Sequence, residues 1–161
     1  MTPDLNPFPA EDAERHALWQ AHMFNDIEAF LRADWDAVKG DFDAETFMAI
    51  DARFQADPAL WQIGFPDLDA YRRTWLHQAE VTRAKADPAR VRDALFRGAR
   101  ISRIDFGEGG TALLHKVFDG ALPLKDGSTE TYGWQSVFTL RKRDGAWKIQ
   151  SFVGYIGGGR G

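Results

Sequence analysis

The sequence predicts an α+β fold, in which a curved, mostly antiparallel sheet packs against helices and encloses a pocket. The main observation is a long β-hairpin between Glu130 and Ile156, whose two alternating apolar runs meet at Asp144-Gly145. This dipeptide suits a type I′ turn, because both central residues of that turn need positive φ. An amphipathic helix near the N-terminus offers the hairpin an apolar surface. Helical patterns come before most of the strand patterns, an order typical of α+β proteins.

Composition narrows the class of protein. The 161 residues are 44% hydrophobic and 27% charged, which fits one globular domain. The net charge of −4, with no basic run beyond Arg141-Lys142-Arg143, disfavours nucleic acid as a partner. The absence of cysteine excludes disulfides and thiolate metal sites. No run of about 18 apolar residues occurs, so we expect a cytoplasmic protein with no membrane partner.

The expected domain organisation is an N-terminal arm at 1–10, a single domain at 11–156 and a flexible glycine-rich tail at 157–161. Asp67 is the expected N-cap of a helix that ends before Asp87-Pro88. Periodicity predicts further helices at 11–31 and 33–39 and a short helical segment near 88–93. Before the final hairpin, it predicts strands at 45–53, 61–65, 95–106 and 111–119.

Two segments carry a family resemblance. The end of the first helix in one fold family is similar to the segment Phe30-Leu31-Arg32-Ala33-Asp34-Trp35-Asp36-Ala37. The last hairpin of the same family is similar to Arg141–Ile149. Over roughly residues 11–156 the chain resembles the nuclear transport factor 2-like proteins, especially their SnoaL-like and ketosteroid isomerase-like members. The resemblance implies a cone-shaped α+β barrel with an apolar pocket, and a homodimer. The family contains isomerases, dehydratases, cyclases and non-enzymes, so the fold alone does not determine the function.

Asp51 is the first candidate catalytic residue. It follows the apolar run Phe47–Ile50, which places it at the end of a strand. The resemblance implies a proton-shuttling carboxylate at about this point of the chain. A carboxyl group at an apolar pocket would have a raised pKa, as a general base at neutral pH requires. The alternative is that Asp51 caps the turn that follows it.

Asp26 and His22 form a second candidate pair. They are four residues apart on the first predicted helix and therefore share a face. That face adjoins the apolar stripe that contains Trp19, so the pair and Trp19 are expected at the pocket. The resemblance places a polar catalytic group near Asp26. A histidine beside a carboxylate can act as a base, although a solvated i,i+4 pair is the alternative.

The strands supply the other candidates. His115 lies in an alternating strand and is either a catalytic base, as the resemblance allows, or a hydrogen-bonded structural residue. On the hairpin, alternation puts Tyr132, Trp134 and Ser136 on one face, where hydroxyl groups could donate hydrogen bonds to a substrate oxygen. The isomerases that the chain resembles carry an acid at about this point of the strand, whereas this chain has Trp134, Gln135 and Ser136 there and no acid. That difference counts against isomerase chemistry of the same type.

Arg53 is the candidate for binding an anionic part of a substrate, or else a partner for Asp51. The four histidines lack the spacing of a metal site, so no metal and no cofactor are predicted.

Two functional hypotheses follow. The first is a cofactor-free lyase or isomerase that transfers a proton, during isomerisation, dehydration or cyclisation, on a small hydrophobic molecule. The second is a non-catalytic domain that binds a small ligand or dimerises. For the dimer, the odd-numbered residues of the last strand are expected to form one exposed apolar face, namely Trp147, Ile149, Val153 and Tyr155.

Overall fold

A computed structural model of the chain describes residues 2–158, in which helices cover one six-stranded sheet. The first helix consists of three consecutive segments, α1 (Ala13–Trp19), a π-helical segment (Gln20–Asn25) and α2 (Asp26–Arg32). The other α-helices are α3 (Leu68–Lys85) and α4 (Val91–Arg97). Short 3₁₀ turns lie at Trp35–Ala37, Lys39–Asp41 and Pro58–Leu60.

The sheet confirms the predicted α+β class. Its strands lie in the order β2-β1-β6-β5-β4-β3, and the curved sheet is not closed into a full barrel. Strands β1 and β6 are parallel, and all other neighbours are antiparallel. The strands are β1 (Met48–Asp51), β2 (Gln62–Phe65), β3 (Ala99–Gly107), β4 (Thr111–Pro123), β5 (Thr129–Arg143) and β6 (Ala146–Ile156).

The turn that joins β5 to β6 has the predicted geometry. Asp144 and Gly145 have φ values of 51° and 80°, and Arg143 pairs with Ala146 across the turn. Positive φ at both central residues matches the right-handed twist of the two strands. The pairing of β5 with β6 shifts register twice, once near Gln135 and once near Thr139.

Helix ends follow local chemistry. Asp67 is the N-cap of α3 as predicted, because its Oδ1 accepts a hydrogen bond from the N–H of Ala70 at 2.8 Å. Ala33, with φ of 53°, ends α2 in the left-handed conformation.

Several predicted elements differ from the structure. The short helical segment predicted near 88–93 is α4 at Val91–Arg97, so the strand predicted to begin at Leu95 begins only at Ala99. The predicted short helix at 33–39 is instead two 3₁₀ turns. The strand predicted at 45–53 is confined to β1, because Thr46 donates to the carbonyl of Asp43 in a turn and Arg53 has a positive φ of 54°.

The apolar core lies between the concave face of the sheet and the helices. Leu114 and Leu140 from the centre of the sheet are each 1% exposed. An aromatic cluster joins the 3₁₀ turn after α2 to α3, where the Trp35 and Trp75 ring centroids are 5.4 Å apart. Packing of this kind stabilises the fold mainly through burial of apolar surface.

The predicted N-terminal arm packs on α1, where Asn6 Nδ2 donates to the carbonyl of His16 at 2.9 Å. Residues 159–161 of the predicted flexible tail lie outside the described residues. In residues 2–158, no helix combines the length and the apolar content that crossing a membrane requires.

The residues predicted to form an apolar dimer face on β6 do not share one exposed face. Ile149 and Tyr155 line an internal cavity rather than the outer face of the sheet, and Ile149 is only 4% exposed. The reason is the pair of register shifts between β5 and β6, which break the strict alternation of side chains along β6. Val153 pairs with Val137 on the other phase of the sheet.

Candidate functional site

A cavity of about 480 Å³ lies between the inner face of the sheet and helices α2 and α3. Its walls are mostly apolar and rich in aromatic rings, which suits a small, largely apolar ligand. The rings come from Phe30, Phe42, Phe54, Tyr71, Trp75, Phe118, Tyr132, Trp134, Phe138, Phe152 and Tyr155.

The hairpin supplies one wall, as alternation predicts. Tyr132, Trp134 and Ser136 line the cavity together with Phe138 and Leu140, two further residues of the same phase on β5. The Ser136 hydroxyl accepts a hydrogen bond from the N–H of Tyr155 at 3.3 Å, which ties β5 to the end of β6.

The main polar feature of the cavity is an ion pair between Asp26 on α2 and Lys116 on β4. The distance from Lys116 Nζ to Asp26 Oδ2 is 3.0 Å, and the same Nζ donates to the carbonyl of His22 at 2.7 Å. Lys116 is 3% exposed and its Nζ lies 4.9 Å from the centre of the Phe118 ring. A buried ammonium group needs such partners, because burial without them is costly.

Lys116 is a site residue that the sequence predictions missed. A signal was present, since alternation places it in phase with the apolar Leu114 and Phe118. A lysine between two inward-facing apolar residues of a strand must find a buried partner.

His22 lies beside this ion pair and is 8% exposed. Burial is the main cause that lowers its pKa to about 4; the Lys116 charge also lowers it, while the Asp26 charge raises it. The ring is therefore neutral at neutral pH. The predicted pairing of Asp26 with His22 takes another form: both line the cavity, but Asp26 binds Lys116 and His22 contributes its carbonyl to the same lysine.

Asp41 brings a second carboxyl group to the cavity. Burial raises its pKa to about 6, the Asp26 charge raises it further, and Lys148 partly opposes the shift. Asp41 sits in the 3₁₀ turn Lys39–Asp41, which is held to β6 by a hydrogen bond from Lys148 Nζ to the carbonyl of Gly40. No local sequence pattern marks this site, because the burial of Asp41 depends on tertiary packing.

Three tyrosines lie around the same cavity. Burial raises the pKa of Tyr71 and of Tyr155 and raises that of Tyr132 to about 12, so all three are neutral donors. The Tyr155 hydroxyl donates to Gln78 Oε1 on α3 at 3.2 Å. Within residues 2–158 the buried Tyr132 hydroxyl has no hydrogen-bond partner.

Asp51 and Arg53 do not line the main cavity. They lie in an adjoining outer cleft lined by Asp51, Arg53, Phe54, Thr74, Gln78 and Tyr155. Asp51 Oδ1 accepts a hydrogen bond from the N–H of Arg53 at 2.8 Å, the turn-capping contact expected under the alternative interpretation of Asp51. The outer cleft shares Phe54, Gln78 and Tyr155 with the main cavity.

His115 and Trp19 also lie away from the cavity. His115 Nδ1 is 2.7 Å from Ser102 Oγ, and its Nε2 is 2.6 Å from Gln135 Oε1. It lies in the opposite phase of β4 from Lys116, as predicted, and hence on the other face of the sheet. Trp19 is 4% exposed and packs in a separate cluster with Met23 and Phe96.

In the described part of the chain, histidine and carboxylate side chains form no group of three that could hold a metal ion.

Comparison with known proteins identifies the fold. The chain matches no protein-family model and no curated protein. It is similar to the solved structure of a ketosteroid isomerase-like protein from Erwinia carotovora atroseptica, with 17% identity, 86% of this chain and 92% of that chain covered, and a TM-score of 0.51. It is also similar to a scytalone dehydratase-like protein from Novosphingobium aromaticivorans, with 17% identity and a TM-score of 0.56. That match covers 90% of this chain and 85% of the other chain.

The association domain of CaMKII from C. elegans is a third similar structure, with 12% identity, 90% and 97% coverage and a TM-score of 0.57. Other matches are NTF2-like proteins of unknown function. The chain has the NTF2-like fold. The predicted resemblance to this superfamily is thereby confirmed at the level of fold. At these identities the NTF2-like fold says nothing specific about the reaction, which must be inferred from the cavity.

Proposed function

We propose that this NTF2-like protein is a cofactor-free enzyme that transfers a proton on a small, mostly apolar carbonyl compound bound in the cavity. The observation that carries the proposal is that Asp41, with its pKa raised to about 6, faces the same cavity as the Asp26–Lys116 ion pair. A carboxyl group that titrates near neutral pH suits general-base catalysis.

Each polar group has a distinct role in the proposed reaction. The Asp41 carboxylate takes a proton from the carbon next to the substrate carbonyl, and the electrons of that C–H bond form the enolate. The Lys116 ammonium stabilises the negative charge that develops on the carbonyl oxygen. Asp26 and the carbonyl of His22 hold Lys116 in place.

The fate of the enolate determines the type of reaction. Return of the proton from Asp41 to a different carbon gives isomerisation. Dehydration results instead when the enolate electrons form a C=C bond and expel a hydroxyl group from the carbon next to the deprotonated one, with Asp41 returning its proton to that group so that it leaves as water. The similarity to ketosteroid isomerase-like and scytalone dehydratase-like structures supports this class of chemistry. Surrounding aromatic rings would exclude water and strengthen the charge interactions at the cavity.

The test is deuterium exchange, because it needs no knowledge of the natural substrate. A panel of apolar cyclic ketones is incubated with the protein in D₂O, and incorporation next to the carbonyl is followed by NMR. We expect exchange above the buffer rate that rises with pH around a midpoint near 6, set by the pKa of Asp41. Asp41→Asn should lower the rate at least about 100-fold, as loss of a general base does.

Asp36→Asn is the matched control, because Asp36 is exposed and pairs with Lys39. Equal exchange in wild type and Asp41→Asn, or no exchange above buffer across the panel, would contradict the proposal.

The alternative function is non-catalytic binding of a small apolar ligand. The aromatic walls favour it equally, because they would bind such a ligand with or without a reaction. Under this alternative, ketones would quench the fluorescence of Trp75 and Trp134 without any exchange. The homodimer also stays a prediction, which light scattering during gel filtration at micromolar concentration would test.

A further inference from the structure

The main cavity and the outer cleft are neighbours with a common wall. Phe54, Gln78 and Tyr155 line both spaces. The wall is held by the Tyr155–Gln78 hydrogen bond of 3.2 Å and by the Phe54 ring, whose centroid is 5.6 Å from that of Tyr155. Phe54 is 56% exposed, so one side of this wall meets solvent.

The backbone at this wall is unusual. Arg53, Phe54 and Tyr155 have φ values of 54°, 61° and 57°, in the left-handed region that bulky residues rarely adopt. The N–H of Phe54 donates to the carbonyl of Tyr155 at 2.8 Å, so the three strained residues form one unit. Such strain persists only where the surrounding structure imposes it, and it is frequent at ligand sites.

Arg53 contributes a guanidinium group to the outer cleft. In residues 2–158 its guanidinium makes neither a salt bridge nor a hydrogen bond, although its side chain lines the outer cleft. Asp51 is the acidic residue of the same cleft, and its Oδ1 is already occupied by the N–H of Arg53. A guanidinium group binds carboxylate and phosphate oxygens through paired N–H donors.

The charges of the main cavity oppose an anion at its inner end. Lys116 is paired with Asp26, and Asp41 adds a further carboxyl group there. Lys85 and Glu130 also line the main cavity, and they are paired with each other at 2.7 Å. An anionic group on a ligand would therefore be repelled by the carboxyl groups of Asp26 and Asp41. In the outer cleft it could instead bind the guanidinium of Arg53, because the one carboxylate there, Asp51, accepts a hydrogen bond from the backbone and not from that guanidinium in the described residues.

We propose that the cavity and the outer cleft form one elongated site for an amphipathic ligand, whose apolar body fills the cavity and whose carboxylate or phosphate group binds Arg53. This inference rests on the cavity being the substrate site of the proposed function, and it narrows the substrate class. The substrate is an apolar carbonyl compound with an anionic oxygen group remote from the reacting carbon. For it to enter through the cleft, Phe54 must turn and the Tyr155–Gln78 hydrogen bond must break.

The experiment compares three probes that share one apolar chain: decanoate, decyl phosphate and decanol. Affinity is measured by quenching of tryptophan fluorescence and by calorimetry, below the micelle concentration. We expect wild type to bind decanoate or decyl phosphate at least tenfold more tightly than decanol. The stronger of the two anions identifies the head group.

The variants separate the role of Arg53 from general charge. Arg53→Gln should weaken binding of the preferred anion about tenfold and leave decanol binding within twofold of wild type. Arg53→Lys should keep part of the preference, which guards against a folding defect in the glutamine variant. Arg73→Gln is the control, because Arg73 is exposed on α3 and pairs with Asp69.

Three outcomes would overturn the inference: equal binding of anions and decanol, an equal loss of both in Arg53→Gln, or the same loss in Arg73→Gln. Failure of the proposed function is distinguishable, because it appears as unchanged deuterium exchange in Asp41→Asn. The anion preference would then persist in a protein that binds but does not catalyse.

Discussion

Lys116 of β4 and Asp26 of α2 form an ion pair, with 3.0 Å between the lysine Nζ and the aspartate Oδ2. The lysine side chain is 3% exposed and the aspartate side chain 33%. Removal of one partner leaves the other charge poorly compensated, so Asp26→Asn or Lys116→Met should each lower the free energy of unfolding by about 2–3 kcal/mol. This loss in the free energy of unfolding is smaller than that expected for a fully buried ion pair, because Asp26 is partly exposed to solvent.

The double variant Asp26→Asn/Lys116→Met should cost less than the two single variants together, with a coupling of about 1–2 kcal/mol. Urea denaturation of the four proteins gives this value directly. Lys39→Met serves as the control, because the Lys39–Asp36 pair is exposed and is expected to change stability by less than about 0.5 kcal/mol. Additive costs for Asp26 and Lys116 would show that the pair does not hold α2 to the sheet.

His22 should make the protein sensitive to acid. Its pKa is lowered from 6.5 to about 4 by burial, so the unfolded state takes up a proton over that interval while the folded state does not. Stability that is present above pH 6.5 is therefore lost as the pH falls toward 4, by about 3 kcal/mol. His22→Gln should remove this loss. Denaturation midpoints between pH 4 and 7 that decline equally in both proteins would contradict the assignment.

Asp41 acts on stability in the opposite direction. Its pKa is raised from 3.8 to about 6, so the folded state holds a proton that the unfolded state has released. The cost of ionising Asp41 thus appears as the pH rises through this interval and is complete above pH 6. Asp41→Asn should raise the free energy of unfolding at pH 8 by about 1–2 kcal/mol, a value reduced because the carboxyl group is partly exposed.

The same substitution should have almost no effect on stability at pH 4, where Asp41 is protonated in the folded protein. A stabilising substitution that also abolishes activity is typical of functional residues. Urea titrations at pH 4 and pH 8 test it, and an unchanged or lower stability of Asp41→Asn at pH 8 would argue against a buried carboxyl group at this position.

The hairpin shows how much of the fold the sequence predicts. Asp144-Gly145 sets the turn, and the turn sets the register, so the inward placement of Tyr132, Trp134 and Ser136 follows from local chemistry. Alternation failed on β6 because two register shifts change its phase. Ile149 and Tyr155 were misplaced for that reason. Gly154 lies at one of the shifts and was a local sign of it, since glycine inside a strand is frequent at bulges.

The candidate site was less predictable, because its properties arise from tertiary contacts. Asp51 has the expected position at the end of a strand, but the positive φ of Arg53 and Phe54 turns the chain into the outer cleft. Asp41 acquires its raised pKa only when its turn packs against β6. The buried position of Lys116 could have been predicted from the sequence, since a lysine that faces inward from an apolar strand requires a buried hydrogen-bond acceptor.

Gly98 and Gly120 leave space for the side chain of Tyr132. A Cβ added at Gly98 would lie 2.2 Å from the Tyr132 hydroxyl oxygen and 3.1 Å from its ring carbon Cζ. The φ of Gly98 is −87°, which alanine adopts without strain, so the clash is the main cost. Gly98→Ala should therefore destabilise the protein by about 1–3 kcal/mol, as overpacking does.

Tyr132→Phe should restore most of this loss, because the nearest atoms would then be 3.1 Å away. Alone, Tyr132→Phe should be neutral or slightly stabilising, since it removes a buried hydroxyl group that has no hydrogen-bond partner in the described residues. Thermal melts of the two single variants and the double variant provide the cycle. Gly127→Ala, at a turn with open space but φ of 86°, separates backbone strain from crowding. If Gly98→Ala costs the same with tyrosine or phenylalanine at 132, crowding by the hydroxyl is not its cause.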